Sequence, residues 1–276
     1  MSSNESTGRT LLVAITLCVV SSIFVSYAAV ALKPAQIANK MLDRNKNILA
    51  AAGMMKLSDD VSAQKVTEMF KKHIEVKVVD LKTGDYLTDA NATQPWEKAY
   101  AADPASYDQR RAAKLPKESE VLPAAIDIAS IKRQAKYATV YLVKDDEGKV
   151  QTIVLPVHGY GLWSTLYGFL ALKTDLNTVV GLGFYEEGET PGLGGEVENP
   201  KWKALWPGKK VFNDKGEVDI RLIKGNVDPN SPNAAHEVDG LAGATLTSRG
   251  VTHLVNYWLG ENGFGPYLAK LKKQGV

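Results

Sequence analysis

A threonine hydroxyl lies at the start of a strongly amphipathic segment, where it could carry a phosphate ester. Thr245 follows Gly243 and Ala244, whose small side chains let the backbone approach a bulky ligand closely. From Leu246 onward, apolar residues recur at helix spacing and predict a helix. The free backbone N–H groups and the positive dipole end of a helix N-terminus favour an anionic phosphate. The pattern therefore suits a phosphate group beside the Thr245 hydroxyl.

The same run also has a purely structural interpretation. Thr247 or Ser248 can act as the N-cap of a helix that begins near Arg249, after a turn at Gly243. Such an arrangement is common and requires no ligand. We assign the capping to one of these two later residues, which leaves the Thr245 hydroxyl free.

Two glycine-containing segments lie earlier in the chain. The run Gly188-Glu-Thr-Pro-Gly-Leu-Gly-Gly-Glu196 predicts a tight loop, and it lacks the Lys-Ser/Thr ending of a nucleoside triphosphate-binding loop. In His158–Phe169, the glycines at 159 and 161 are too few to predict a dinucleotide-binding fold. Without a ligand, the first segment is a connection after a strand and the second is a bend between strands.

Together the three segments resemble the FMN-binding domain family. Its flavinylation signature has Asp, two variable residues, Ser or Thr, Gly, Ala, and then the acceptor Thr or Ser. Asp239, Gly243, Ala244 and Thr245 match this signature, whereas Ala242 stands where the family usually has Ser or Thr. The resemblance implies that FMN is attached covalently, through its phosphate, to Thr245.

The resemblance also implies which residues surround the FMN. Leu162 and Trp163 would form an apolar wall against the flavin ring, where stacking is favourable. Glu189 and Thr190 would hydrogen-bond the isoalloxazine or the ribityl chain. The remaining implied contacts are Leu193, Gly194, Gly243, Ala244, Leu246, Thr247 and Ser248. No residue of this chain is expected to be catalytic by itself, because the cofactor carries the chemistry.

Within that family, the segment His158–Phe169 and the insertion before Tyr137 resemble the NqrC proteins of sodium-translocating NADH:quinone oxidoreductases. The related RnfG proteins of Rnf complexes are similar but shorter. The resemblance implies an electron-relaying component of a membrane complex that exports sodium and reduces ubiquinone. It implies FMN-carrying and iron–sulfur subunits as partners, and a flavin transferase for maturation. The alternatives are an RnfG-type protein and a membrane-anchored assembly or binding module without redox activity.

An uncharged segment lies near the start of the chain. Leu11–Leu32 has about 22 residues, which as a helix cover about 33 Å, enough to cross a bilayer core. Ala29-Val30-Ala31 resembles a signal-peptide cleavage site, but the apolar region of a signal peptide normally has only about 7–15 residues. We therefore predict an uncleaved transmembrane anchor that is closed by Lys33-Pro34.

The charges that flank this anchor disagree with the resemblance on orientation. Arg9 precedes the span, whereas Lys33, Lys40, Arg44 and Lys46 follow it. The positive-inside rule then places the large domain in the cytoplasm, although the rule is weaker for a long trailing domain. The resemblance instead implies a single-pass protein of the bacterial inner membrane with a periplasmic soluble domain.

The composition is that of an ordinary globular protein. Of 276 residues, 45% are hydrophobic and 23% are charged, with a net charge of +2. Since neither a basic stripe nor an RNA-binding signature is present, we expect no nucleic-acid binding. Cys18, the only cysteine, lies inside the anchor, which excludes an intrachain disulfide and a cysteine-based metal site. The four histidines are widely spaced, and we expect no metal site.

The elements that must position these residues are strands followed by helices. The expected strands are Tyr137–Val143, Val150–Val157, Phe169–Lys173, Val179–Tyr185 and Val218–Lys224. This order predicts an α+β fold, a mainly antiparallel sheet with flanking helices, preceded by one transmembrane helix. The expected organisation is an N-terminal tail (1–10), the anchor (11–32), a helical and irregular linker region with a hairpin (33–136) and an FMN-binding domain (137–276).

Overall fold

The computed structural model describes residues 6–275, and within them lie seven α-helices and nine strands. The helices are α1 (Thr7–Ala51), α2 (Ala63–His73), α3 (Pro95–Ala102), α4 (Gln109–Ala112), α5 (Pro200–Lys203), α6 (Thr245–Leu259) and α7 (Gly265–Gln274). The strands are β1 (Ile74–Asp80), β2 (Ser119–Val121), β3 (Arg133–Ala135), β4 (Tyr137–Lys144), β5 (Val150–Tyr160), β6 (Thr165–Lys173), β7 (Val179–Glu186), β8 (Arg221–Ile223) and β9 (Glu237–Asp239). The chain divides between Arg44 and Asn45 into two compact units.

Helix α1 is longer than the predicted anchor. It runs for 45 residues and contains Pro34, so the helix continues past Lys33-Pro34, where the predicted span is closed. A proline removes one N–H from the helical ladder and strains one turn, but the bonds on either side can carry the helix past it. By length and composition α1 can cross a membrane, because its most apolar 18 residues have a mean hydropathy of 2.3.

The second unit is built on one antiparallel sheet of five strands, in the order β1-β4-β5-β6-β7. The α+β prediction is therefore confirmed, as are the strands expected around residues 137–143, 150–157, 169–173 and 179–185. Strand β1 pairs with β4 over its whole length, from Ile74 opposite Val143 to Asp80 opposite Tyr137. The body of the compact unit thus begins well before the predicted boundary at residue 137.

The hairpin expected in the linker region is reduced to a turn. Gly84 N–H donates to the Asp80 carbonyl at 2.7 Å, and Tyr86 forms only an isolated bridge with Val79. Strand β1 takes β4 as its partner instead of this short return arm. The helix that precedes β1, α2, begins just after Ser62. Ser62 caps α2 by accepting a hydrogen bond from the backbone N–H of Lys65 at 3.3 Å.

The core lies between one face of the sheet and the C-terminal helices. Leu166, Leu170 and Leu172 of β6 are separated by even numbers of residues and are fully buried. They lie in one cluster with Leu254 and Trp258 of α6. Burying each of these side chains contributes roughly 1.5–3 kcal/mol. Trp258 also donates its ring N–H to the carbonyl oxygen of His158 in β5, at 2.6 Å. Helix α6 is thereby fixed against the end of β5.

A histidine on β5 is held in an aromatic stack. The His158 ring lies 5.3 Å from Tyr167 and 4.8 Å from Trp258, measured between ring centroids. Burial, reinforced by the nearby Arg110 guanidinium, lowers the pKa of His158 to about 4. The imidazole is therefore neutral at physiological pH and acts as a packing element.

We expect this histidine to make the folded state less stable in acid. The folded-state pKa lies below the unfolded value near 6.5, so between pH 6.5 and about 4 the unfolded chain binds the extra proton. The free energy of unfolding should then decrease as the pH is lowered through this window, by up to about 1.4 kcal/mol per pH unit from this group. Chemical denaturation at several pH values, compared with His158→Phe, measures the effect. Identical pH dependence in both proteins would contradict the assignment.

Candidate functional site

The helix that carries the candidate acceptor begins at the acceptor itself. Thr245 is the first residue of α6, and Ala244 occupies the N-cap position without a side-chain hydrogen bond to the helix. The first turn contains no acidic residue, and the side chains of Thr245 and Leu246 are exposed. Gly243, whose φ is +72°, supplies the left-handed turn that leads into the helix. The hydroxyl of Thr245 thus lies at the surface beside an uncapped helix N-terminus.

The prediction that Thr247 or Ser248 caps a helix starting near Arg249 is wrong. Both residues lie inside the first turns of α6, and both are buried. Thr247 Oγ1 donates to Glu189 Oε2 at 2.8 Å, and Ser248 Oγ accepts from Leu241 N–H at 2.9 Å. Their hydroxyls fix α6 to neighbouring loops. The expectation that follows from that assignment, a free Thr245 hydroxyl, agrees with the position of Thr245 in the structure.

Glu189 joins the three segments that the sequence singles out. Its Oε2 accepts from Thr247, while its Oε1 accepts the backbone N–H groups of Leu162, Trp163 and Ser164 at 3.0, 3.0 and 3.1 Å. The residue is only 6% exposed. The loop 188–196, the turn 161–164 and the start of α6 therefore meet at a single carboxylate. Both oxygens of Glu189 are engaged by the chain, so the hydrogen bond to a flavin expected of this residue has these internal donors as competitors.

Glycines allow the three segments to approach this closely. A Cβ at Gly161 would lie 2.6 Å from Glu189 Oε1, and one at Gly194 would lie 2.6 Å from Thr247 Oγ1. In α6, a Cβ at Gly250 would lie 2.5 Å from the carbonyl oxygen of Tyr160. Any side chain at these positions would force the segments apart. Gly194 thus has a packing role beneath the site.

Large apolar side chains of the same three segments face solvent. Trp163 is 67% exposed, Leu246 51%, Tyr160 45% and Leu193 42%. Leu193 reaches the acceptor run, since its Cδ2 lies 3.0 Å from the Cβ position at Gly243. Exposed apolar side chains that gather around one polar group mark a ligand or partner site. The candidate contacts Trp163, Leu193 and Leu246 are thus exposed where a planar apolar ligand could cover them.

Three further residues of the predicted site are Thr190, Asp239 and Ala242. Thr190 is exposed in the loop, and its carbonyl oxygen accepts the N–H groups of Leu193 and Gly195, both at 3.0 Å. Asp239 ends β9, where its Oδ1 accepts from Val227 N–H at 2.9 Å. Ala242 is exposed. Thr190 therefore shapes the loop with its backbone, and Asp239 holds the strand that precedes the acceptor run.

Sequence reasoning missed two residues of this arrangement. Ser164 Oγ accepts from Gly188 N–H at 2.7 Å and so connects the aromatic turn with the glycine loop. Tyr160 extends the exposed apolar surface and donates its hydroxyl to the Trp163 carbonyl at 3.3 Å. The contact of Ser164 has no local signal, because Gly188 lies 24 positions further along the chain. The contact of Tyr160 is local, since Trp163 is only three positions away, but nothing in the residue types indicates it.

Comparisons with known proteins agree on the family. The FMN-binding domain family matches residues 161–260, a range that contains the glycine loop 188–196, the run Asp239–Ser248 and all but the first three residues of His158–Phe169. The C-type subunit of the Na(+)-translocating NADH-quinone reductase of Pseudomonas aeruginosa is 56% identical over 273 residues, with 99% of each chain covered. The corresponding protein of Vibrio vulnificus is 48% identical, with 100% of each chain covered.

A solved structure agrees with these relatives. The crystal structure of NqrC from Shewanella oneidensis superposes with a TM-score of 0.72 at 36% sequence identity, covering 87% of this chain and 99% of that one. Identity at this level over nearly whole chains, together with the shared fold, fixes the family. The chain belongs to the NqrC family of the Na(+)-translocating NADH-quinone reductases.

Proposed function

We propose that this chain relays electrons within a sodium-pumping NADH:ubiquinone reductase, through FMN esterified by its phosphate to Thr245. The observation that carries the proposal is the exposed Thr245 hydroxyl at an uncapped helix N-terminus, within the range that matches the FMN-binding domain family. As one component of a multisubunit enzyme, the chain is not catalytic alone. Its partners in this proposal are the FMN-carrying and iron–sulfur subunits.

The acceptor region fits the phosphate of FMN. No acidic residue lies in the first turn of α6 and no side chain caps it, so its N–H groups and dipole favour an anion there. Gly243 and Ala244 have small side chains that leave the approach to Thr245 open. A flavin transferase would supply the FMN as a phosphoanhydride. The Thr245 oxygen would lose its proton and bond to the FMN phosphorus as the anhydride bond breaks, and the other phosphate-bearing half would leave.

The apolar surface beside Thr245 fits the ring of FMN. Trp163, Leu193 and Leu246 offer exposed apolar side chains, and Leu162 lies half-buried in the same turn. Packing against them would orient the ring and exclude water from one side of it. FMN, when bound, supplies one-electron and two-electron transfer chemistry. The segments that form this surface all lie in residues 137–276, the part that we propose as FMN-binding.

Flavin fluorescence of the denatured chain tests the proposal. The full-length protein is expressed with and without a flavin transferase, and the denaturing gel is imaged under ultraviolet light before staining. A covalent linkage survives denaturation, so we expect a fluorescent band only where the transferase is present. A band that stays dark, although the transferase labels a known substrate in the same cells, would refute covalent attachment.

We further propose that α1 anchors the chain in the inner membrane with the large domain in the periplasm. The positive-inside rule argues for the opposite orientation, since more basic residues follow the span than precede it. A long trailing domain can be translocated regardless of this charge bias. We therefore expect alkaline phosphatase fused after the last residue to be active, and a green fluorescent protein at the same position to be dark. The reverse pattern would place the domain in the cytoplasm.

A further inference from the structure

The site contains a buried charged group that cofactor attachment does not use. The Glu189 carboxylate receives four hydrogen bonds, three from backbone N–H groups and one from the Thr247 hydroxyl. None of the ion pairs within residues 6–275 includes Glu189. The donors satisfy its lone pairs, but they leave its net charge in place.

This carboxyl is held in its ionised form. Burial opposes ionisation, but the hydrogen bonds from Trp163 and Leu162 N–H, the Thr247 hydroxyl and Ser164 N–H outweigh it and lower the pKa of Glu189. All four groups donate hydrogen bonds to Glu189. An ionised carboxylate can accept all four, whereas a protonated carboxyl has less acceptor capacity. Glu189 therefore carries a permanent negative charge at neutral pH.

The charge lies directly behind the surfaces that would hold FMN. It binds the backbone of Leu162 and Trp163, the two residues of the apolar wall. It also binds Thr247, which is two residues beyond Thr245 and projects from the opposite side of the same helical turn. A helix with its side chains is about 10–12 Å across, so the carboxylate lies within about that distance of the acceptor. It does not compete for the phosphate, because it occupies the buried side of α6.

We propose that Glu189 tunes the cofactor: its fixed negative charge lowers the reduction potential of the flavin attached at Thr245. Two electrons from an upstream redox centre, or from the electrode in a titration, together with one proton convert the neutral oxidised ring into an anionic reduced ring. A like charge held nearby in a buried environment opposes that gain of negative charge. Interaction over about 10 Å at an effective dielectric constant of about 20 corresponds to roughly a tenfold change in the reduction equilibrium. The inference rests on the proposed attachment of FMN to this chain.

The test compares midpoint potentials of flavin-loaded, full-length protein. Glu189→Gln keeps the shape and the acceptor oxygen for the backbone N–H groups but removes the charge. We expect its midpoint potential to lie above that of the wild type by about 30 mV, the two-electron equivalent of a tenfold change. Spectroelectrochemical titration at pH 7 measures this directly. Because the carboxylate is buried, the difference should persist at about 1 M salt, where interactions of exposed charges are screened.

Thr247→Val is the matched control. It breaks the same hydrogen bond between α6 and the loop 188–196 but keeps the negative charge of Glu189. It also removes one donor that partly compensates this charge. Its potential should lie below that of the wild type, whereas a purely structural role of the contact would move both variants in the same direction. A Glu189→Gln potential at or below the wild-type value would overturn the proposal. If Glu189→Gln does not fold, a Thr247→Val potential at or above the wild-type value would do so.

The gel fluorescence of the denatured chain separates this proposal from the proposal that FMN is attached at Thr245. A wild-type band without covalent flavin fluorescence means that the attachment proposal has failed. A fluorescent wild type whose potential is unaffected by Glu189→Gln means that the attachment stands and the tuning role has failed.

Discussion

Replacing Thr245 with alanine removes the covalent flavin signal down to the level of protein made without a transferase, and leaves the domain folded. The side chain is exposed and makes no capping hydrogen bond, so the free energy of unfolding should change by no more than about 0.5 kcal/mol. Thr245→Ser keeps a hydroxyl at the same atom and should retain the signal. Gel fluorescence measures attachment, and chemical denaturation measures stability.

Thr174→Ala is a suitable control for this experiment. Thr174 is an exposed threonine in the turn between β6 and β7, and its loss should leave the fluorescence at the wild-type level. Fluorescence that persists in Thr245→Ala would mean that another residue carries the flavin. Thr247 and Ser248 are the nearest hydroxyls, but both are buried and engaged in hydrogen bonds.

Replacing Gly250 with valine should destabilise the domain by about 3 kcal/mol and strongly reduce flavin attachment. Its Cβ would lie 2.5 Å from the Tyr160 carbonyl oxygen and 3.0 Å from Gly161 Cα, so α6 would have to move away from β5. That movement would also pull Thr247 away from Glu189, whose hydrogen bond positions the start of the helix. The loss of stability is measured by denaturant titration and the loss of attachment by gel fluorescence.

Gly183→Val provides a control of the same chemical change. A Cβ at Gly183 in β7 meets nothing within 4 Å, and valine is favourable in a strand. This variant should be at least as stable as the wild type and should be loaded normally. If Gly250→Val matched it in both respects, the close packing of α6 against β5 would have no role in forming the site.

The central strands and the C-terminal helices can be predicted from the sequence because their signals are local. Strands β4 and β5 are apolar runs on either side of the turn Asp145-Asp146-Glu147-Gly148, and α6 has a clear apolar face. The exposed position of the Thr245 hydroxyl is also a local feature, since it depends on Gly243 and on the helix that follows. These parts of the fold and of the site agree between sequence and structure.

The remaining features depend on contacts between distant residues. Nothing near β1 indicates that it pairs with β4 rather than with its own return arm, because the partner lies about sixty residues away. The start of α6 is misplaced by sequence reasoning for the same reason. The Thr247 hydroxyl, which suggests an N-cap locally, is used by Glu189 in another loop. Glu189 itself lies in a glycine-rich loop, where its type does not reveal that it is buried.

The meeting of three segments at the Glu189 carboxylate affects the order in which the protein matures. Its hydrogen bonds join Glu189 to residues 27 positions before it, at Leu162, and 58 positions after it, at Thr247. Contacts of such sequence separation form only after the entropy of closing the intervening loops has been overcome, and so late in folding. A short peptide with the run from Asp239 to Ser248 would contain the acceptor without the surface that holds the ring. The surface that we propose to hold the flavin ring is therefore a property of the completed tertiary structure, and a nascent or unfolded chain presents only the Thr245 hydroxyl.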